Sequence, residues 1–145
     1  MAASMNAEHP IALLPYLNLN LDYIRQQLEE MGISCHVYED ISCIEATIGK
    51  GGKCFLLRSD VDALPVTEET DLPFRSTNGC MHGCGHDLHG TILLGAAKLL
   101  KAHESELKGT VKLLFQSGEE VFLGAKSAIA AGVRKMNIGT DVCCA

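Results

Sequence analysis

The chain has no run of like charge, no excess of basic residues and no apolar stretch that approaches the length of a bilayer span. Each absence excludes a class of protein. With 12 Lys and Arg against 18 Asp and Glu, a formal net charge of -6 leaves no basic footprint for nucleic acid. Without a long apolar run, a membrane partner is equally unexpected. No Lys or Arg precedes Arg25, and the apolar patch at residues 11–21 is broken by Pro15, Asn18 and Asn20, so it does not read as a secretory signal. The seven cysteines are odd in number and lack the spacing of a disulfide framework, and Cys143 beside Cys144 is poorly placed for bridging. These features predict a cytoplasmic protein in a reducing compartment, with neither nucleic acid nor membrane among its partners.

What is present is the composition of a soluble globular domain, 47% hydrophobic and 21% charged over 145 residues, enough for one sizeable core. Residues 1–18 carry little pattern and form a poorly defined N-terminal segment; residues 19–145 form the domain. From about Leu19, residues Leu21, Ile24, Leu28 and Met31 recur at helical spacing, with Asn20 as a cap and Gly32 as a stop. Residues 33–38 and 43–48 alternate as short strands, and a Gly-rich turn at 49–52 leads into residues 54–58. The run 54–57, apolar all round, reads as a buried strand that delivers Asp60 and Asp62 to its C-terminal end. Residues 66–79 read as a surface loop. Gly90 opens a long helix with Ile92, Leu93, Ala96, Leu99 and Leu100 on one side, capped by Asp87 or Thr91. A core strand at 111–116, a helix at 125–131 stopped by Gly132, and a strand begun at 140–145 complete the order of a layered α/β sheet flanked by helices.

The chemistry concentrates in two stretches. Residues 80–89 read Cys-Met-His-Gly-Cys-Gly-His-Asp-Leu-His, a density of metal donors on a backbone that Gly allows to bend. In an extended segment Cys84 and His86 project from one face and can hold a divalent metal. The bland reading is a Gly-rich loop with incidental His. Downstream, the strand at 111–115 ends in Gln116-Ser117-Gly118-Glu119-Glu120. Adjacent carboxylates on an extended chain face different sides, so one binds metal while the other faces water; in isolation they could equally be the solvated start of a helix. Asp60 and Asp62 are either turn formers before Pro65 or orienting partners of a ligand His. His9, His36, His103, Cys35, Cys43 and Cys54 read as structural.

The stretches Arg58-Ser59-Asp60-Val61-Asp62-Ala63-Leu64-Pro65, Met81-His82-Gly83-Cys84-Gly85-His86-Asp87-Leu88-His89, Leu94-Gly95-Ala96-Ala97-Lys98-Leu99-Leu100 and Gly109-Thr110-Val111-Lys112-Leu113-Leu114-Phe115-Gln116 with Glu119-Glu120 resemble the metal-dependent aminoacylase and carboxypeptidase family. Within it, they are most similar to the N-acyl-amino-acid amidohydrolases, the branch of hippurate and auxin-conjugate hydrolases. The resemblance implies a central mixed sheet between helices and a two-metal centre that cleaves an amide. Residue by residue it makes Cys84, His86 and Glu120 metal ligands and Glu119 the general base, with Asp62 behind the ligands and Asp87 and His89 lining the site. Thiolate and imidazole favour zinc, with manganese, cobalt or nickel able to substitute. The implied substrate is an N-acyl amino acid, or a dipeptide if the chain is a dipeptidase or carboxypeptidase of the same family, and the full-length family implies a homodimer. The chain also departs from the family. It is shorter, lacks the smaller inserted domain, has Ser117-Gly118 before the Glu pair and shows no His-x-x-Pro-Glu segment around His9-Pro10. It therefore reads as the N-terminal part of a metallopeptidase-like catalytic domain, with weak metal binding and little turnover expected of it alone. A non-catalytic interaction module, or a purely structural metal site, is the rival expectation.

Overall fold

The structure is a computed structural model and describes residues 21–133 together with the backbone of 142–144. The expected N-terminal segment at 1–18, the Asn20 cap and residues 140, 141 and 145 of the last predicted strand lie outside these.

Helix α1 (Leu21–Glu30) forms where sequence periodicity places it, with Ile24 and Leu28 buried. It ends because Gly32 takes φ +69, which lets Gly32 N–H reach Glu29 O and Ile33 N–H reach Leu28 O, both at 2.9 Å. Strands β1 (Cys35–Tyr38) and β2 (Cys43–Gly49) follow as an antiparallel pair, then β3 (Cys54–Asp60), helix α2 (His86–Ala102), β4 (Thr110–Gln116), helix α3 (Gly124–Ala130) and β5 (Val142–Cys144). They build one five-stranded mixed sheet in the order β1-β2-β4-β3-β5. Strand β4 is antiparallel to β2 and parallel to β3, which is in turn parallel to β5. The turn at 49–52 thus leads into β3 without laying it beside β2, because β4 occupies that place.

Alternation along the strands sends two sets of side chains to opposite faces. Ile44, Ala46, Ile48, Val111, Leu113 and Phe115 pack with Ile24 and Leu28 of α1 and Leu93 and Ala97 of α2. On the other face Cys43 and Leu114 pack against Ala128 and Val133 beside α3. The architecture is the expected α/β sheet between helices.

Three local expectations are corrected. Strand β3 is not buried throughout: Phe55 is 40% exposed, and its buried part is the C-terminal end, Ser59 and Asp60, followed by the buried Val61 and Asp62 beyond the strand. Helix α2 starts at His86, four residues before Gly90, and neither Asp87 nor Thr91 caps it; Gly85 at φ +81 is its N-cap, and Thr91 Oγ1 donates to Asp87 O instead. Its buried side is Gly90, Leu93 and Ala97, while Ile92 and Leu99 face outward at 69% and 68% exposure. Apolar residues cover more than half of this helix, so spacing alone leaves the core side undecided.

The parallel pair β3 and β4 positions the site. Asp60 lies opposite Gln116, and Val61 N–H donates to Gln116 O at 2.9 Å, so both strands deliver their next residues to the same edge. Carboxyl ends of parallel strands are where open α/β sheets place their ligands.

Candidate metal centre

At that edge three segments meet: the end of β3, the first turn of α2 and the turn after β4. Residue Asp62, 2% exposed, joins them. His86 Nδ1 lies 3.0 Å from Asp62 O and 3.2 Å from Asp62 Oδ1. Both oxygens only accept, so Nδ1 carries the proton, and the lone pair of the neutral ring is on Nε2. Nε2 faces Glu119 Oε2 at 3.9 Å and Glu120 Oε1 at 4.0 Å. Asp62 Oδ2 accepts the backbone N–H of Glu120 at 3.1 Å and so holds the second carboxylate on the same side.

Cys84 completes the group. One ligand atom from each of Cys84, His86 and Glu120 lies within 4.8 Å of the others. The Glu120 carboxylate beside it, then desolvation and a hydrogen bond to the same carboxylate, push the Cys84 thiol up from its ordinary range, with Glu119 and Asp60 adding to the effect. Glu120 Oε1 is buried without a hydrogen-bond partner. Sulfur, nitrogen and oxygen donors crowded around an imidazole lone pair, with one carboxylate oxygen unsatisfied, are the donor set of a divalent cation.

The route to this geometry differs from the expected one. Cys84 lies in a turn and His86 in the first turn of a helix, so no extended segment aligns them. Glu119 and Glu120 sit in a turn closed by Phe122 N–H to Glu119 O at 2.8 Å, and both carboxylates approach His86 instead of facing opposite sides. His89 Nδ1 accepts the backbone N–H of Asp60 at 3.2 Å, which ties α2 to β3. Asp87 is exposed and borders a cleft beside the centre.

A layer of support was not foreseen from sequence. Arg58 Nε donates to Gln116 Oε1 at 3.1 Å, and its guanidinium pairs with Asp60, which locks the ends of β3 and β4 behind the site. Arg58 and Asp60, two apart on one strand, share a face, and that spacing was the available signal. Gly124 is equally structural: a Cβ there would fall on Ser117 O and the Gln116 side chain, so the turn carrying Glu119 and Glu120 closes only over glycine.

Fold and site define a class: α/β proteins with a thiol, imidazole and carboxylate cluster at the carboxyl edge of a mixed sheet. The chain belongs to peptidase family M20/M25/M40, whose sequence profile matches residues 56–144. It is 45% identical over 118 residues to an IAA-amino acid hydrolase of Arabidopsis thaliana, covering 80% of this chain and 27% of that one. It is 43% identical over 113 residues to the N-acetyl-L-cysteine deacetylase of Bacillus subtilis (strain 168), covering 76% and 27%. Among solved structures, the Bacillus subtilis YXEP protein, described as a dinuclear metal-binding peptidase of the M20 family, superposes with TM-score 0.76 at 41% identity, over 82% of this chain and 34% of that one. The chain spans between a quarter and about a third of the length of these relatives.

Proposed function

We propose that this chain serves metal-dependent hydrolysis of the amide bond of N-acyl amino acids, with Cys84, His86 and Glu120 as metal ligands and Glu119 as general base. The observation that carries the reading is the orientation of His86: Asp62 occupies Nδ1, and the Nε2 lone pair is aimed between Glu119 and Glu120. The roles of the two carboxylates follow from their surroundings. Glu120, 26% exposed with Oε1 unsatisfied and its backbone held by Asp62, is the fixed ligand. Glu119, 39% exposed, is free to meet water and substrate.

A divalent cation bound here would polarise the acyl carbonyl and lower the pKa of water. Glu119 takes the proton as the water oxygen bonds to the carbonyl carbon, and returns it to the amide nitrogen as the C–N bond breaks. Asp62 keeps His86 in one tautomer throughout. The thiol and imidazole donors favour zinc, with manganese, cobalt or nickel as substitutes. The reading takes a small N-acyl amino acid as substrate, a homodimer as the assembly and a reducing cytoplasm as the location; no disulfide joins the described cysteines.

Elemental analysis of the purified chain beside Cys84→Ala, His86→Ala and Glu120→Ala tests the ligand set, with N-acetyl and N-aromatic-acyl amino acids as assay substrates. Weak, saturable metal binding is expected in the parent and is lost from each variant, whereas Glu119→Gln keeps the metal and loses what little hydrolysis the parent shows. A metal-free parent, or variants that retain the parent's metal content, would overturn the reading.

A further inference from the structure

The edge of the sheet that holds the metal centre gathers Asp60, Asp62, Glu119 and Glu120, whereas Lys53 and Lys108 stand at the opposite edge, where β3 and β4 begin. A cavity of about 270 Å³ opens there, close to the lower bound of about 300 Å³ for small-molecule pockets. Phe55, Leu107 and Val111 supply its apolar wall, and the two lysines its charge. Among the described residues no carboxylate lines it. The seven residues of β3 put about 20 Å between this cavity and the metal centre, so the two are separate places on the molecule.

The cavity is formed without a ligand. Thr110 N–H donates to Lys53 O at 2.9 Å and Thr110 Oγ1 to Gly51 O at 3.0 Å, which fastens the turn before β3 to the start of β4. The two segments touch backbone to backbone: a Cβ on Gly52 would meet Lys108 O, and one on Gly109 would meet Lys53 O. This close approach brings both lysines to one cavity. Phe55 lies opposite Val111 in the parallel register and stays 40% exposed. An aromatic side chain left half open in a fixed cavity offers area that a ligand can cover.

The carboxylates nearest in sequence are engaged elsewhere. Glu104 pairs with Lys101 at 2.6 Å and accepts the Gly49 N–H at 3.0 Å, and Glu106 lies 2.9 Å from His103 Nδ1. Among the described residues, neither Lys53 nor Lys108 has an ion-pair partner.

We infer that this cavity is a second binding site, and that it takes a small amphipathic monoanion, an aromatic ring or short branched chain that ends in one carboxylate. The apolar body covers Phe55, Leu107 and Val111, and its removal from water drives binding. The carboxylate stays at the mouth, because lysine stems lie along apolar surface while their ammonium groups remain in water. A neutral ligand forgoes the charge pairing and a bare carboxylate forgoes the apolar contact, so both halves are needed. The inference is independent of the amidohydrolase reading, since neither metal nor hydrolysis enters it.

Phenylacetate, phenylacetamide and acetate are titrated in turn into the full chain while the methyl resonances of Leu107 and Val111 are followed. Phenylacetate is expected to shift both saturably, phenylacetamide to bind several-fold more weakly and acetate to leave them in place. Lys53→Met combined with Lys108→Met keeps two apolar stems and removes both charges. It is expected to weaken phenylacetate on the order of tenfold, the scale of two exposed ion pairs, with phenylacetamide bound as before. Both lysines are exposed, so the double variant leaves the core undisturbed. Phenylacetate that moves neither methyl, an amide that binds as tightly as the acid, or a double variant that retains the parent's affinity for phenylacetate overturns the assignment.

Discussion

Asp62 Oδ2 accepts the backbone N–H of Glu120 at 3.1 Å across 58 positions of sequence, and this bond holds the turn after β4 against the end of β3. The same side chain lies 3.2 Å from His86 Nδ1. One buried residue therefore aims two donors at once, His86 through its backbone carbonyl and Glu120 through its carboxylate. Asp62→Ala is expected to lower metal affinity about 10–100-fold, the usual cost of losing a group that positions a ligand, here the Glu120 turn, while the Asp62 carbonyl still holds His86. Chelator competition against the parent checks it, and an unchanged affinity would show that the turn holds Glu120 without Asp62.

Helix α2 gives a prediction on packing. Leu93 is 5% exposed against the sheet, whereas Ile92 and Leu99 are 69% and 68% exposed. Leu93→Ala should cost about 2–5 kcal/mol by leaving a cavity. Ile92→Ala and Leu99→Ala should stay within about 0.5 kcal/mol. Urea denaturation of the three variants ranks them, and equal losses would mean that the outward face is covered.

Gly124 sets the shape of the Glu119-Glu120 turn, because a methyl group there would meet Ser117 O and the Gln116 amide. Gly124→Ala is expected to cost at least about 1–3 kcal/mol, since backbone must move to make room. Because the displaced segment carries Glu120, metal content should fall with stability. Full stability and full metal content would contradict the close approach.

A pH prediction comes from the face of the sheet that carries Cys43 and Leu114, against which Tyr38 packs. Tyr38 donates its hydroxyl to Glu45 Oε2 at 3.0 Å, and Glu45 pairs with Lys112. Desolvation first, then the bond to Glu45, push the phenol up to about 12. The unfolded phenol titrates near 10, so the folded state holds this proton more tightly. Its stabilising contribution is complete below about pH 10 and is lost as pH rises through about 12. Denaturation midpoints of the parent should fall across that window, and Tyr38→Phe should remove part of the fall. Identical profiles would place the alkaline loss elsewhere.

The sequence by itself determined the inventory. Apolar spacing placed α1, β4 and α3 to within a residue or two, because a helix or strand with one strongly apolar side declares its own period. The donor-rich stretch and the Glu pair were equally legible, because such residue types so close together are costly without a use. Tertiary structure decided adjacency and direction. No local pattern says that β4 enters between β2 and β3, since strand pairing depends on residues far apart in sequence. Alternation treats Asp60 and Asp62 alike, but β3 ends at Asp60, and the chain beyond it turns Asp62 toward His86 while Asp60 remains paired with Arg58. An extended reading set Glu119 and Glu120 on opposite sides, whereas the turn brings both to one imidazole. Chemistry at a metal-type site depends on where lone pairs point, and only the packed chain fixes that.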